Sequence, residues 1–300
     1  MFDREQLETF ARIVDEGSFE KAACALNVTR GAVSQRIKAL EESLSSVLLV
    51  REKPVVPTRA GQRLLRHVKA LQLLEDATME ELLPGPQSRE PAELSIAVNA
   101  DSLATWFPPV LWRLLIAHRL AIEVVTDDQD HTLERLARGE VIGCVSTQAR
   151  AASGFVAEPL GAMEYRCVAA PDFAQRHFDQ GLSLKAVLGA AAVVFNRKDS
   201  LHDEFLQAVF GFRVGRYTKH FLPSASALLG GIEAGIGYGL VPSHQLMKSC
   251  GVPALVELAP QHPVLVELHW HHWEIEPALS SHITRLVKEH AASALRRMDS

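Results

Sequence analysis

Apolar residues in the first eighty positions recur at three- and four-residue spacing, in short bursts rather than one continuous stripe. Leu7, Phe10, Ile13 and Val14 give a first amphipathic helix, ended by Gly17 and restarted at the N-cap Ser18. Ala22, Ala23, Ala25 and Leu26 make a small-residue helix that a neighbour can approach closely. Asn27 tolerates the left-handed conformation of a sharp turn, Val28 fills the corner and Thr29 caps the helix that follows. On that helix Val33, Ile37 and Leu40 face inward, while Gly31, Ser34, Gln35 and Lys38 point away, flanked by Arg30 and Arg36. Two extended pieces, LLVRE (48–52) and VVPT (55–58), surround Lys53-Pro54 and predict a hairpin wing. Thr58 then caps a helical pattern running to about Leu83, striped by Leu64, Val68, Leu71 and Leu74. A long helix outside a compact core needs a partner for such a stripe. These four are expected at a dimer contact, with packing on the chain's own body as the alternative.

PGPQSREP (84–91) cannot continue a helix and reads as a linker. Beyond it, strand and helix patterns alternate. LSIAV (94–98) precedes a helix through Trp112, IEVV (122–125) precedes LERLARG (133–139), and VIGCVS (141–146) follows. A second set comprises YRCVAA (165–170), AAVVF (191–195) and an apolar, glycine-rich run from Leu228 to Pro242. HPVLVELHWHHW (262–273) is a long strand pattern and 277–297 a closing helix. This order predicts a mostly parallel sheet covered by helices, in two α/β lobes joined by crossing strands.

Charge sharpens the division. Residues 1–70 hold 12 Lys and Arg against 9 Asp and Glu, and the remainder 19 against 27. A basic head on an acidic body suits nucleic acid at one end and small-molecule or protein contact at the other. The charged start MFDREQLETF and the lack of any long apolar run predict a cytoplasmic chain with no membrane association. Cys24, Cys144, Cys167 and Cys250 lie far apart and are expected as buried, reduced thiols. His269 and His271 share one strand face and His272 the other, with no acid–cysteine set to complete a site, so no metal is expected. GIGYG (235–239) lacks the context of a nucleotide loop and reads as close strand packing, and no GxSxG elbow supports an enzyme.

A helix held from behind, presenting amides, hydroxyls and cations with no acid from 30 to 40, suits the major groove of double-stranded DNA. Thr29, Arg30, Gly31, Ser34, Gln35, Arg36 and Lys38, with Arg51 and Lys53 of the wing, are the expected DNA contacts. The rival from another class is a solute-binding or enzymatic α/β protein with an incidental basic head. Such a protein would need a signal peptide and no helix-turn-helix.

These residues resemble the LysR-type transcriptional regulators across essentially the whole chain. The signature AAxxLxxTxxAVSxxIxxLE is met by Ala22, Ala23, Leu26, Thr29, Ala32, Val33, Ser34, Ile37, Leu40 and Glu41, followed by Leu49-x-Arg51 and Thr58-x-Ala60-Gly61. Departures are Arg30-Gly31 where Gln-Ser or Gln-Pro often opens the recognition helix, Pro54 where many members carry a wing arginine, and Asn27 in the turn. The resemblance implies an α/β chain with a winged helix-turn-helix (1–58), a linker helix (59–83), a hinge (84–92) and a two-lobed effector domain of periplasmic-binding-protein type (93–300). Lobe I would take about 93–161 and 267–300, and lobe II about 162–266. It also implies a homodimer, pairs of dimers, contact with RNA polymerase, and a small-molecule co-effector rather than a cofactor. AVNADSLATW (97–106), ERLxRGEVIGxVS (134–146) and FNRKDxLH (195–202) look like the subgroup that senses lysine and arginine and controls a basic-amino-acid exporter. Control of another metabolic operon through another effector is the alternative.

In open α/β lobes, ligands bind beyond the carboxyl ends of strands and at helix starts. Asn99, Asp101, Ser102 and Thr105 follow LSIAV, Asp127 and Asp128 end IEVV, Asn196 and Asp199 follow AVVF, and Ser224 and Ser226 precede the next helix. A cationic amino acid is expected between them, its carboxylate on amides and hydroxyls and its side chain on the aspartates. For each acid alone the competing reading is a helix cap or a solvated loop.

Overall fold

A computed structural model describes residues 2–82, 91–126, 129–246 and 255–297. The first three helices each start at a side chain that takes an orphan amide. Asp3 accepts from Gln6 before α1 (Arg4–Glu16), Ser18 from Lys21 before α2 (Phe19–Ala25), and Thr29 from Ala32 before α3 (Arg30–Leu44). Gly17 ends α1 at φ 60° and Asn27 makes the α2–α3 turn at φ 54°. Phe10, Ile13, Ala22, Val33, Ile37 and Leu40 are fully buried between the three helices. β1 (Leu49–Val50) and β2 (Val56–Pro57) pair antiparallel as the wing, and the Val55 amide donates to the Gly17 carbonyl at 2.9 Å.

Thr58 opens α4 (Arg59–Leu82): its hydroxyl donates to the Val47 carbonyl and accepts the Gly61 amide. The stripe of this helix is divided, which corrects the expectation of one dimer face. Leu64 and Val68 are buried with Leu65 in the chain's own N-terminal core, whereas Leu71 and Leu74 are 36% and 52% exposed. Leu73, between them, joins the core of the body.

The body alternates as predicted. β3 (Ala92–Ala97), α5 (Ala100–Ala104), α6 (Pro108–Ala117), β4 (Leu120–Val125), α7 (Gln129–Arg138) and β5 (Gly143–Ser146) form the first set. The long β6 (Phe155–Ala169) leads to α8 (Pro171–His177), α9 (Leu184–Gly189), β7 (Ala192–Val194), α10 (Leu201–Phe210), β8 (Lys219–Phe221), α11 (Ala225–Glu233) and β9 (Tyr238–Pro242). α12 (Ser243–Leu246), β10 (Val256–Glu257), β11 (Val264–Trp273) and α13 (Ala278–Ala294) complete it. Strand order is β4-β3-β5-β11-β6-β9-β7-β8, with β10 also on β6. β3 pairs parallel with β4 and β5, and β7 with β8 and β9, so each lobe has its own parallel set. Antiparallel β6 and β11 run through both lobes and join them.

Both crossing strands are irregular at one level. The β6–β11 register shifts between Leu268 and His269, and Leu268 faces Gly161 at φ 121°. A β-carbon on Gly161 would lie 2.8 Å from the Arg296 carbonyl oxygen, and Ala162 and Arg296 exchange two 2.9 Å backbone bonds. The segment after α13 therefore straps the crossing. α4 docks on lobe I: Arg66 donates to the Ala137 carbonyl at 3.1 Å and stacks 4.8 Å over the Phe155 ring. Gly139, at φ 74°, admits Leu65 alongside.

Several local expectations change. The helix expected through Trp112 is two, α5 and α6, separated before Pro108 and Pro109. The glycine-rich run is a helix and a strand, and β-carbons on Gly237 and Gly239 would meet the Ala191 and Val193 carbonyl oxygens at 2.6 Å. Cys144 and Cys167 are buried but Cys24 is exposed on α2, against expectation. His269, His271 and His272 are all buried, with His271 Nε2 2.7 Å from the Gln148 carbonyl oxygen. The linker segment 84–90, Asp127, Asp128 and Cys250 lie outside the described residues. Among the described residues no helix is long and apolar enough to cross a membrane.

Candidate functional site

Two surfaces carry chemistry. On the outer face of α3, Thr29, Arg30, Gly31, Gln35 and Lys38 are exposed and Ser34 is half-buried. Arg30 and Lys38 make exposed ion pairs, with Glu20 at 3.1 Å and Glu42 at 3.7 Å. Such pairs contribute little and exchange easily for phosphate. Lys53 is exposed at the wing tip. Arg51 lies 5.7 Å over the Phe19 ring and 3.6 Å from Glu41, whose other oxygen accepts the Leu48 amide. Arg36 departs from the expected flank: its guanidinium turns back onto α1, donating to Glu5 at 2.6 Å and to Thr9 at 3.3 Å. It holds the recognition helix to α1 instead of facing outward.

The second surface is the cleft between the lobes. Asp101 of lobe I, with Tyr165 on the crossing strand β6 and Asp199 and His202 of lobe II, lines one small space whose apolar walls include Ala225, Leu228 and Leu240. Tyr165 donates to Asp101 Oδ2 at 2.7 Å. Burial pushes the Asp101 carboxyl above its ordinary range; the Tyr165 bond opposes this and Asp199 adds to it. Asp199 is also raised, first by burial and further by Asp203 and Glu204, against the Leu201 amide that donates to it at 3.0 Å. Two buried acids from opposite lobes thus face one space with their charged forms disfavoured, Asp199 adding to the effect on Asp101, and a cation entering it would favour both carboxylates.

The remaining expected residues build the walls. Asn99 caps α5 by accepting the Ser102 amide at 3.3 Å, the Ser102 hydroxyl accepts the Trp106 indole at 3.0 Å, and Thr105 donates to the Asp101 carbonyl at 2.6 Å. α5 is a single turn whose start is occupied in this way, so it offers no row of free amides. Asn196 accepts the Lys198 and Asp199 amides and shapes the loop that carries Asp199. Ser224 caps α11 and its hydroxyl lies 3.1 Å from that of Ser226, both exposed at the cleft's lobe II side, flanking Ala225.

Sequence reading missed Tyr165 and His202. Burial pushes His202 down to about 4, with Lys219 adding to the effect and Asp203 opposing it. His202 Nδ1 is 2.9 Å from the Tyr217 hydroxyl, which donates to Asp203 at 2.5 Å, and Lys219 donates to both Asp203 oxygens at 2.7 and 2.9 Å. The only signal in the chain was the His that closes FNRKDSLH, one turn beyond Asp199.

Residues 4–62 match the family model for the bacterial regulatory helix-turn-helix protein, lysR family, and residues 87–292 match the LysR substrate binding domain. The HTH-type transcriptional regulator ArgP of Pseudomonas aeruginosa (strain UCBPP-PA14) is 38% identical over 299 residues, 99% of each chain. The crystal structure of ArgP from Mycobacterium tuberculosis is 34% identical with a TM-score of 0.86, covering 99% of this chain and 100% of that one. Full-length LysG from Corynebacterium glutamicum with bound effector Arg is 32% identical with a TM-score of 0.80, covering 98% of this chain and 100% of that one. With its DNA-reading head and its cleft both accounted for, the chain belongs to the LysR family of ligand-responsive transcriptional regulators and is similar within it to ArgP and LysG.

Proposed function

We propose that this regulator takes lysine or arginine between its two lobes and uses it to control a gene for basic-amino-acid export. The pairing of Asp101 and Asp199 across one buried space carries the reading, because raised carboxyls there favour a ligand that brings positive charge. LysG, with its bound Arg, adds support by likeness. The α-carboxylate is assigned to the start of α11 beside Ser224 and Ser226, and the cationic end to the two aspartates. The space amounts to about 30 Å³, room for a water or two, so the lobes part further to admit an amino acid.

The chain acts in the cytoplasm, without catalysis, on double-stranded DNA. It binds as a homodimer through the exposed Leu71–Leu74 side of α4, with pairs of dimers and contact with RNA polymerase as further levels. One α3 covers one half-site, and a two-fold protein matches two. Ligand shifts this regulator only by its differential affinity for the open and closed lobes.

Calorimetry and thermal shift of the full chain with arginine, lysine and the neutral isostere norleucine test the reading. Arginine or lysine at 100 times Kd is expected to stabilise the fold by about 2.7 kcal/mol. Equal binding of norleucine would remove the cationic site and leave the family assignment standing.

A further inference from the structure

We propose that His202 determines ligand specificity in the cleft, held as the neutral Nδ1–H tautomer so that its bare Nε2 accepts a hydrogen bond from the cationic end of the effector. The inference rests on the basic-amino-acid reading and extends it to a residue and a protonation state.

The tautomer follows from proton counting outward from Lys219. Its ammonium donates to both oxygens of Asp203, which keeps that carboxylate ionised and an acceptor only. Tyr217 has one hydroxyl proton, and it goes to Asp203 at 2.5 Å. The Tyr217 oxygen therefore has only lone pairs to offer His202, and the 2.9 Å contact requires the proton to be on Nδ1. A neutral imidazole has one N–H, so Nε2 is a lone pair. Neutrality follows from burial: the residue is 2% exposed, between Phe205 and Tyr238, and its pKa is pushed down to about 4.

That lone pair has no partner among the described residues, and His202 lines the same space as Asp101, Tyr165 and Asp199. Tyr165 spends its own proton on Asp101, leaving its oxygen to accept. Asp101, Tyr165, Asp199 and His202 thus each turn an acceptor to this space, against the single side-chain amide of Gln245, and two of the four carry the potential for negative charge. Such a set is completed by a group rich in N–H and positively charged, an ammonium or a guanidinium. A hydroxyl or methyl end leaves acceptors buried and unpaired, which is the strongest form of discrimination a site has. Lys219, Asp203 and Tyr217 are positioning residues: they act through the tautomer and do not themselves reach the space.

The test uses the full-length chain with L-arginine and L-lysine as probes. Imidazole nitrogen NMR on selectively labelled protein is expected to show His202 as the Nδ1–H tautomer at neutral pH, with the Nε2 resonance moving to a hydrogen-bonded position on saturation with arginine. His202→Phe keeps an aromatic of similar shape and is expected to weaken arginine about 10-fold or more while leaving non-specific DNA affinity intact. Tyr217→Phe is expected to weaken it less and to mix the tautomers. A protonated Nε2 in the free protein, an Nε2 resonance indifferent to saturating arginine, or wild-type affinity in both variants overturns the inference. The nitrogen spectrum of the wild-type protein keeps the question decidable if His202→Phe does not fold. Failure of the wild-type chain to bind either amino acid would instead strike the effector reading itself, and would be seen before any variant is made.

Discussion

A β-carbon on Gly61 would lie 2.1 Å from the Leu48 carbonyl oxygen and 3.1 Å from Pro57 Cβ. α4 begins against the root of the wing at that point, with Thr58 bonded to both, so Gly61→Ala must push the helix off the hairpin. We expect a loss of about 1–3 kcal/mol by urea titration, with a weaker wing contribution to DNA affinity. At the DNA face, single residues separate by what holds them. Gln35 is exposed on α3, and Gln35→Ala should cost about 1–3 kcal/mol at a cognate site and little elsewhere. Lys38→Ala and Arg51→Ala should weaken all sequences and reduce the salt slope by about one each. Arg36→Ala should behave differently, lowering thermal stability through loss of Glu5 and Thr9 while leaving the salt slope unchanged. A flattened salt slope in that variant would return Arg36 to the phosphate contacts.

Among the elements, α4 is asked to do two things. Val68 is 3% exposed in the N-terminal core, so Val68→Ala should cost about 1–3 kcal/mol without altering assembly. Leu74 is 52% exposed, so Leu74→Glu should leave the melting temperature of the protomer nearly unchanged and yield monomers by sedimentation, with loss of operator binding. A native dimer in that variant would move the interface to another element. The division of this stripe also marks what sequence pattern can and cannot reveal. Periodicity reports that a residue faces something apolar, not whether that something belongs to the same chain. The caps Ser18 and Thr29, the left-handed Asn27 and the wing were legible because each depends on neighbours within a few residues. The α/β order was legible for the same reason. β8 and the first half of β6 were not, because Lys219–Phe221 is three residues long and Phe155–Met163 mixes apolar residues with Pro159 and Gly161. In the cleft, Asp101 and Asp199 stood out as acids at strand ends. Tyr165 and the His202–Tyr217–Asp203 chain did not, since Tyr165 meets Asp101 across 64 positions and a hydrogen-bond relay has no period.

At the scale of the whole molecule, the two raised carboxyls make the response depend on pH. As pH falls through their raised values, Asp101 and Asp199 take up protons before the ordinary carboxylate range is reached, and a cation loses its partners. Arginine binding should weaken on acidification through that window and release protons there, so its calorimetric heat will vary with the buffer. The folded chain holds these protons more tightly than the unfolded one, so their loss on raising the pH opposes folding. Asp101→Asn, which still offers Tyr165 an acceptor, should therefore raise the melting temperature at neutral pH while shrinking the arginine-induced shift. One further consequence lies in the docking of α4. Arg66 grips the end of α7 and the first residue of β6, both on lobe I, and Leu65 seats against Gly139 of the same lobe. In a machinist's terms lobe I is the fixed jaw of the vice, bolted to the shaft that carries the DNA-reading head, and lobe II is the moving jaw. Dyes at Gln72 and Gln175 should change separation when arginine enters, while dyes at Gln72 and Glu134 should not. The message to DNA then has to leave through whatever lobe II presses on as it swings, because the chain's own head rides with the jaw that stays still.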